Sequence, residues 1–171
     1  MTGRILVLLR HAKADRPNDV GDFDRPLTAR GHADASAAGA WLTRRALVPD
    51  LVLCSAAKRA RQTWHGVAVA MAEAAAAGGG PTVRYERPLY EGGPQDLLEE
   101  VRQLADEIHT VLVVGHNPTM SQVSTLLDGR PGVGDADGLR TSGLAVHRFD
   151  GPWKGCGPGA AELTEAHTAR G

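Results

Sequence analysis

Three short apolar runs, each followed at once by a polar segment and then a helical stretch, constrain the fold of this chain most strongly. The runs cover residues 5–9, 51–54 and 111–114 and consist mainly of Leu and Val. Continuous apolar runs of this length are typical of strands that are buried on both faces, as in parallel sheets. Because strands and helices alternate along the chain, the sequence predicts an α/β fold, a mostly parallel sheet with helices on its faces.

Arginine and histidine side chains follow these runs, close to where each predicted strand ends. Arg10 and His11 come directly after the first run, Arg59 lies in the first helical turn after the second, and His116 follows the third. The carboxyl ends of parallel strands meet at one edge of a sheet, where ligands bind. Guanidinium groups suit phosphate, and a histidine is available as nucleophile or base near neutral pH. The pattern therefore predicts that these four residues gather around one anion.

The residues beside this cluster offer further candidates for substrate binding. Ser55 and Asn117 are interpreted as caps of the helices that follow the second and third runs, with Pro118 as the first helical residue. Helix N-termini favour anions, so Ser55 and Asn117 are candidate phosphate-binding residues. Lys13 and Arg25 are candidates for the mouth of the pocket, with ordinary surface charge as the alternative.

Composition narrows the classes of protein and of partner. A net charge of −1 over 171 residues gives no sign of nucleic-acid or membrane binding, and we find neither a signal peptide nor a membrane-spanning run. The chain has only two cysteines, which favours a reducing, cytoplasmic location. We expect a single domain over residues 1–171, with a Gly- and Pro-rich tail that frays from about residue 155.

The remaining elements are predicted from apolar spacing and from turn residues. The strand at 144–149 is expected to run antiparallel at the edge of the sheet, and residues 129–138 are expected to form a loop. The other predicted elements are strands at about 4–10 and 82–86, and helices at about 29–45 with Thr28 as cap, 57–77, 94–107 and 118–128.

Taken together, these motifs resemble the histidine phosphatase superfamily, also called the phosphoglycerate mutase superfamily. The resemblance rests on Arg10-His11, on the segment 55–63 and on the segment 115–118, in family order. Residues 24–31 and the Leu89-Tyr90 pair are similar to its short bacterial branch, the SixA-type phosphohistidine phosphatases. The superfamily usually has Gly after the nucleophile, and this chain has Ala12, which leaves the substrate open.

The resemblance implies a three-layer α/β/α sandwich of the phosphoglycerate mutase-like type and a phosphatase that needs neither cofactor nor metal. It implies that His11 attacks phosphorus and becomes a phosphohistidine, which water then hydrolyses. It also implies that Arg10, Arg59 and His116 hold the phosphoryl oxygens. A neutral ring nitrogen must face phosphorus, so we expect the other nitrogen of His11 to donate to a nearby backbone carbonyl.

The proton donor and the substrate are the open questions. Larger relatives use a carboxylic acid, and Glu91 could serve here, although a solvated glutamate is the alternative. SixA-type enzymes do without a dedicated acid, because a phosphohistidine loses an imidazole whose conjugate acid has a pKa of about 6.5. An alkoxide is far more basic and gains about 10²–10⁴-fold from a general acid. The substrate is expected to be a phosphohistidine protein or a small phosphate ester.

Two further classes of protein remain as alternatives to this phosphatase. A non-catalytic module could bind a phosphorylated ligand in the same pocket, although a pure binder would not need His11. A metal-dependent hydrolase could use His11, Asp15 and His116, but their spacing fits no metal signature. Nothing in the sequence indicates the oligomeric state.

Overall fold

The computed structural model describes residues 3–131 and 138–171, in which one six-stranded sheet lies between two layers of helices. The loop predicted at 129–138 therefore lies largely outside the described residues. The strands are β1 (Gly3–Arg10), β2 (Leu51–Ser55), β3 (Thr82–Glu86), β4 (Thr110–Gly115), β5 (Gly143–Asp150) and β6 (Glu162–Thr168). The helices are α1 (Ala29–Arg44), α2 (Lys58–Ala76), α3 (Pro88–Glu91), α4 (Pro94–Arg102) and α5 (Thr119–Asp128).

The strand order in the sheet is β3-β2-β4-β1-β5-β6. The first four strands in that order are parallel, and β5 and β6 join antiparallel to β1 and to each other. The fold predicted from the sequence is thus confirmed. The three strands that carry the arginine and histidine motifs, β2, β4 and β1, are direct neighbours at the centre of the sheet, so their carboxyl ends meet at one edge.

Side-chain alternation along the central strands divides the core into two clusters. On one face, Leu6 and Leu8 of β1 pack with the apolar sides of α4 and α5. On the other face, Val7 and Leu9 pack with α1 and α2. All four side chains are fully buried. The absence of polar alternation in this run follows from its position, since both faces of β1 are covered by helices.

Two predicted helix positions can be checked at the ends of α1 and α4. Thr28 caps α1 by accepting a hydrogen bond from the N–H of Gly31, which confirms the prediction. The helix predicted over 94–107 ends at Arg102. Beyond that end, backbone carbonyls accept hydrogen bonds from side chains: the carbonyl of Asp106 from Arg4, and the carbonyl of Ile108 from Trp153.

The C-terminal segment is ordered, so the expected fraying from residue 155 is wrong. Trp153, Cys156 and Ala161 are fully buried in the core, and β6 pairs along β5. The strand predicted at 144–149 is antiparallel as expected, but β6 and not β5 forms that edge of the sheet. The apolar side chains among the glycines and prolines supply the burial that holds this segment. No helix in the described ranges has both the length and the apolar character needed to cross a bilayer.

Candidate active site

The ends of β1, β2 and β4 open into a pocket of about 360 Å³ that is lined mainly by polar side chains. In the register of the sheet Arg10 lies beside Gly115, and the N–H of His11 donates to the Gly115 carbonyl over 2.9 Å. Strand β1 ends at Arg10, so the alternation that would separate Arg10 from His11 stops there. Arg10, His11, Arg59 and His116 all line this pocket, so the structure brings together the four residues singled out in the sequence.

The loop after β1 is fixed by side chains from the start of α2. Thr63 accepts a hydrogen bond from the N–H of Ala12 over 3.0 Å, and Gln62 accepts one from the N–H of Leu27 over 2.8 Å. At Gly31 the first turn of α1 lies directly against the backbone carbonyl of Lys13, and a Cβ there would overlap it. Gln62, Thr63 and Gly31 thus hold the loop that carries the site residues, although none of the three lines the pocket.

His11 is held with one ring nitrogen free. Its Nδ1 lies 2.7 Å from the carbonyl oxygen of Ala12, and because a carbonyl only accepts, Nδ1 carries the proton. Nε2 therefore keeps its lone pair, which confirms the expected backbone contact. Burial, together with the positive field of the nearby arginines, lowers the pKa of His11 to about 3. The ring is neutral at pH 7 and available as a nucleophile.

The ring of His116 lies close to that of His11, with 5.1 Å between the centroids. Its Nε2 lies 2.7 Å from the hydroxyl of Ser55. Burial, followed by the charge of Arg59, lowers the pKa of His116 to about 4. Ser55 is fully buried, and Ala57, not Ser55, caps α2, so the predicted capping role is wrong. The Ser55 hydroxyl is used by His116 and by the N–H of Ala57 instead.

Arg59 is paired with Asp22, an acidic residue that the sequence analysis did not single out. The guanidinium donates to the Asp22 carbonyl over 2.7 Å and to its carboxylate over 3.1 Å. The same carboxylate accepts from the Tyr90 hydroxyl over 2.8 Å and from Arg25 over 3.2 Å. These bonds, that from Tyr90 above all, lower the pKa of Asp22 to about 2. In the sequence, the only indication of this role is the position of Asp22 in the loop after β1, next to residues 24–31, which resemble the SixA-type branch.

Arg10 and Asn117 share one backbone hydrogen-bond acceptor. Both side chains donate to the carbonyl of Leu139, over 3.0 Å and 2.7 Å respectively. The Asn117 amide oxygen accepts from the N–H of Ser121 in the first turn of α5, which begins one residue later than predicted. Asn117 lines the pocket, but its amide group already binds the Leu139 carbonyl and the first turn of α5.

The mouth of the pocket is basic. Lys13 and Arg25 both line it, and so does Arg16, which the sequence analysis had not named. Lys13 and Arg16 are exposed, and in residues 3–131 and 138–171 neither makes an ion pair. Five cationic side chains thus line the pocket against the single carboxylate of Asp22. Such a lining attracts a ligand with more than one negative charge.

Glu91 is not among the residues that line the pocket. It ends α3, its side chain is 61% exposed, and it pairs with Arg87 over 3.3 Å. Within the described ranges, no group of three or more His, Cys, Asp or Glu side chains is placed to hold a metal ion. The arrangement as it stands offers a neutral nucleophilic imidazole beside two guanidinium groups, which suits attack on an anionic phosphoryl group.

The two neutral imidazoles predict a loss of stability in mild acid. In the unfolded chain a histidine binds its proton near pH 6.5, whereas His11 and His116 do so only at about 3 and about 4. Between these values the unfolded state holds more protons, so the free energy of unfolding falls as the pH falls. We expect a decrease of about 2–4 kcal/mol between pH 7 and pH 5, measured by urea unfolding. His11→Gln is expected to lose about half of this dependence, and an equally steep profile in that variant would contradict the assignment.

A family model matches part of this chain, and a relative matches nearly all of it. The model of the histidine phosphatase superfamily (branch 1) matches residues 6–77. An uncharacterized protein of Mycobacterium tuberculosis is 39% identical over 168 residues, covering 95% of this chain and 100% of the relative.

Two solved structures resemble the chain over nearly its whole length. A proposed phosphohistidine phosphatase SixA from Nakamurella multipartitia is 35% identical, with a TM-score of 0.83 over 98% of this chain and 96% of that chain. A second proposed SixA, from Agrobacterium tumefaciens, is 29% identical, with a TM-score of 0.77 over 96% of this chain and 97% of the other. In sequence and in fold, the chain is therefore similar to SixA-type proteins.

Proposed function

The chain belongs to the histidine phosphatase superfamily, and on that premise we propose that it is a SixA-type phosphohistidine phosphatase with His11 as its nucleophile. One observation carries the proposal. Nδ1 of His11 is bound to the Ala12 carbonyl, which leaves the Nε2 lone pair free in a pocket that His116, Arg10 and Arg59 also line. The alternatives are a small-molecule phosphomonoesterase of the same superfamily and a module that only binds phosphorylated ligands.

The proposed reaction has two steps. The lone pair on Nε2 of His11 forms a bond to phosphorus while the bond from phosphorus to the leaving nitrogen breaks, and that nitrogen takes up a proton from solvent. Water then attacks phosphorus and releases a proton to solvent, the bond to Nε2 breaks, and inorganic phosphate leaves. In each step negative charge spreads over the equatorial oxygens, and Arg10, Arg59 and His116 are the proposed partners of those oxygens.

The carboxylates around the pocket support a leaving group that needs little acid catalysis. Asp22 lines the pocket, but its pKa of about 2 keeps it ionised, so at neutral pH it only accepts hydrogen bonds. Glu91 is exposed and paired with Arg87. The imidazole of a phosphohistidine leaves as a neutral ring once its bridging nitrogen is protonated. The conjugate acid of the free ring has a pKa of about 6.5. This favours a phosphohistidine over a sugar or serine phosphate.

The basic mouth supports a phosphorylated protein as the partner. A phosphoryl group carries at most about two negative charges near pH 7, whereas five cationic side chains and one carboxylate line the pocket. The excess positive charge lies with the exposed Lys13 and Arg16. Acidic side chains around a phosphohistidine on a protein surface would complement it.

A substrate panel tests the proposal. We expect kcat/KM for a phosphohistidine protein to exceed that for sugar phosphates by about 10²-fold or more, since the described residues of the pocket offer no general acid to an alkoxide leaving group. Glu91→Gln should leave both values within about twofold, as should Glu99→Gln, an exposed glutamate of α4 that serves as the matched control.

Other outcomes of the panel would support the alternatives. If Glu91→Gln slows only the alkoxide substrates, Glu91 is the proton donor and the protein is a phosphomonoesterase. If phosphorylated ligands bind but no substrate is hydrolysed and no acid-labile phosphoenzyme forms, the protein is a binding module.

A further inference from the structure

We propose that the buried hydroxyl of Ser55 fixes the tautomer of His116, so that this ring presents an N–H at Nδ1 to the phosphoryl group. Ser55 would then be a positioning residue, which acts on the substrate only through His116. The identity of the anion rests on the proposed function, whereas the tautomer is a property of the protein without substrate.

The contacts of Ser55 define the direction of its hydrogen bonds. Its side chain, at the end of β2, is fully buried. Its oxygen lies 3.2 Å from the backbone N of Ala57 and 2.7 Å from Nε2 of His116. The Ala57 N–H can only donate, so it uses the Ser55 oxygen as an acceptor.

The hydroxyl proton of Ser55 then has one acceptor within the described part of the chain, which is Nε2 of His116. If the ring donated in the opposite direction, the Ser55 O–H would be left buried without an acceptor, which is costly. Ser55 therefore donates, and Nε2 of His116 is the unprotonated nitrogen.

The single proton of the neutral His116 ring must then lie on Nδ1. That ring is neutral at pH 7, because burial lowers its pKa to about 4. Nδ1 is buried and makes no hydrogen bond to the described residues, although the residue lines the pocket. A buried donor without a partner is uncommon in a folded protein, and a phosphoryl oxygen would satisfy it.

His11 and His116 thus carry their protons on the same ring atom for different reasons. The Ala12 carbonyl accepts from Nδ1 of His11 and leaves a lone pair on Nε2. The Ser55 hydroxyl donates to Nε2 of His116 and leaves an N–H on Nδ1. The two neutral rings, with centroids 5.1 Å apart, therefore differ in role: His11 attacks phosphorus and His116 donates a hydrogen bond to the phosphoryl group.

The tautomer can be read directly from ¹⁵N NMR spectra of the labelled protein at pH 7 without substrate. We expect His116 to show a protonated Nδ1 and an unprotonated Nε2, and inorganic phosphate to shift the Nδ1 signal. In Ser55→Ala the proton should move, at least in part, to Nε2. A wild-type protein with its His116 proton on Nε2 would overturn the proposal, whether or not any variant folds.

Ser124 offers a matched control, because it makes the same kind of pair elsewhere in the fold. Its hydroxyl lies 2.8 Å from Nε2 of His147, whose Nδ1 lies 3.0 Å from the Ala161 carbonyl. Ser124→Ala should change the spectrum of His147 alone and leave hydrolysis within about twofold, as expected for a change away from the site.

Kinetics provide the second measurement. Ser55→Ala should lower kcat by about 10- to 100-fold, less than the loss of a whole oxyanion donor, with little change in KM. Ser55→Thr, which keeps a hydroxyl, should recover most of that loss. A kcat for Ser55→Ala within about twofold of wild type would also overturn the proposal. If no substrate is hydrolysed by the wild type, the proposed function fails, but the NMR result still decides the tautomer.

Discussion

His11→Ala is expected to abolish phosphate hydrolysis, by about 10⁴-fold or more, while leaving the fold intact. The imidazole is the group whose Nε2 would form the covalent bond to phosphorus, whereas Nε2 of His116, the other neutral ring in the pocket, is occupied by the Ser55 hydroxyl. The side chain extends from the first residue after β1, so its loss removes no strand pairing. The measurement is a time course of phosphate release, together with circular dichroism of the variant.

The covalent step gives a second measurement of the same prediction. Rapid quenching of the wild type should trap an acid-labile, alkali-stable phosphoenzyme that the variant cannot form. The exposed His32 provides the control, since His32→Ala should form phosphoenzyme at the wild-type level. Hydrolysis by His11→Ala at more than a few per cent of the wild-type rate would rule out His11 as the nucleophile.

Arg59→Ala is expected to lower kcat/KM by about 10²–10³-fold, the usual cost of removing a donor that stabilises transition-state charge. Arg59 is only 6% exposed and is held by two bonds to Asp22, so its guanidinium is fixed before the substrate arrives. Its removal also leaves the Asp22 carboxylate facing the incoming phosphoryl group with one cation fewer. Both effects weaken binding of the anion, so the loss should appear in kcat and in KM.

The same helix provides the control for this prediction. Arg61 lies two residues further along α2, is exposed and donates to the Ala56 carbonyl. Arg61→Ala should therefore change kcat/KM by less than about twofold. Arg59→Lys should recover only part of the activity, because an ammonium group cannot reproduce the two-pronged contact. Equal losses at the two positions would show that Arg59 acts through general charge and not through geometry.

The four central residues could be predicted from the sequence because their positions follow from covalent order. Each of them comes close after a buried strand, and parallel strands bring such positions to one edge whatever the surrounding loops do. Asp22 and Arg16 could not be found in this way. They lie in the irregular segment between β1 and α1, where the path of the backbone depends on contacts from Gln62 and Thr63 that are remote in sequence.

Ser55 and the C-terminal strand show two other limits of the sequence pattern. A serine before a helix is usually a cap, but here α2 begins only at Lys58, and the Ser55 hydroxyl binds His116, which follows the neighbouring strand β4, as well as the N–H of Ala57. The tail was expected to fray because of its glycines and prolines. Trp153, Cys156 and Ala161 are fully buried, and that burial outweighs the flexibility of the turns.

The position of β4 between β2 and β1 has a consequence for the order in which the site can be assembled during synthesis. Arg10, His11 and Arg59 all leave the ribosome early, yet within the described sheet β1 and β2 do not pair with each other, and β4 pairs with both. A nascent chain that stops before residue 110 thus contains three of the four central side chains without the strand that joins them. In a fragment that ends before β4 the sheet therefore cannot hold β1 beside β2, and we expect the complete pocket to form only after β4 has been synthesised.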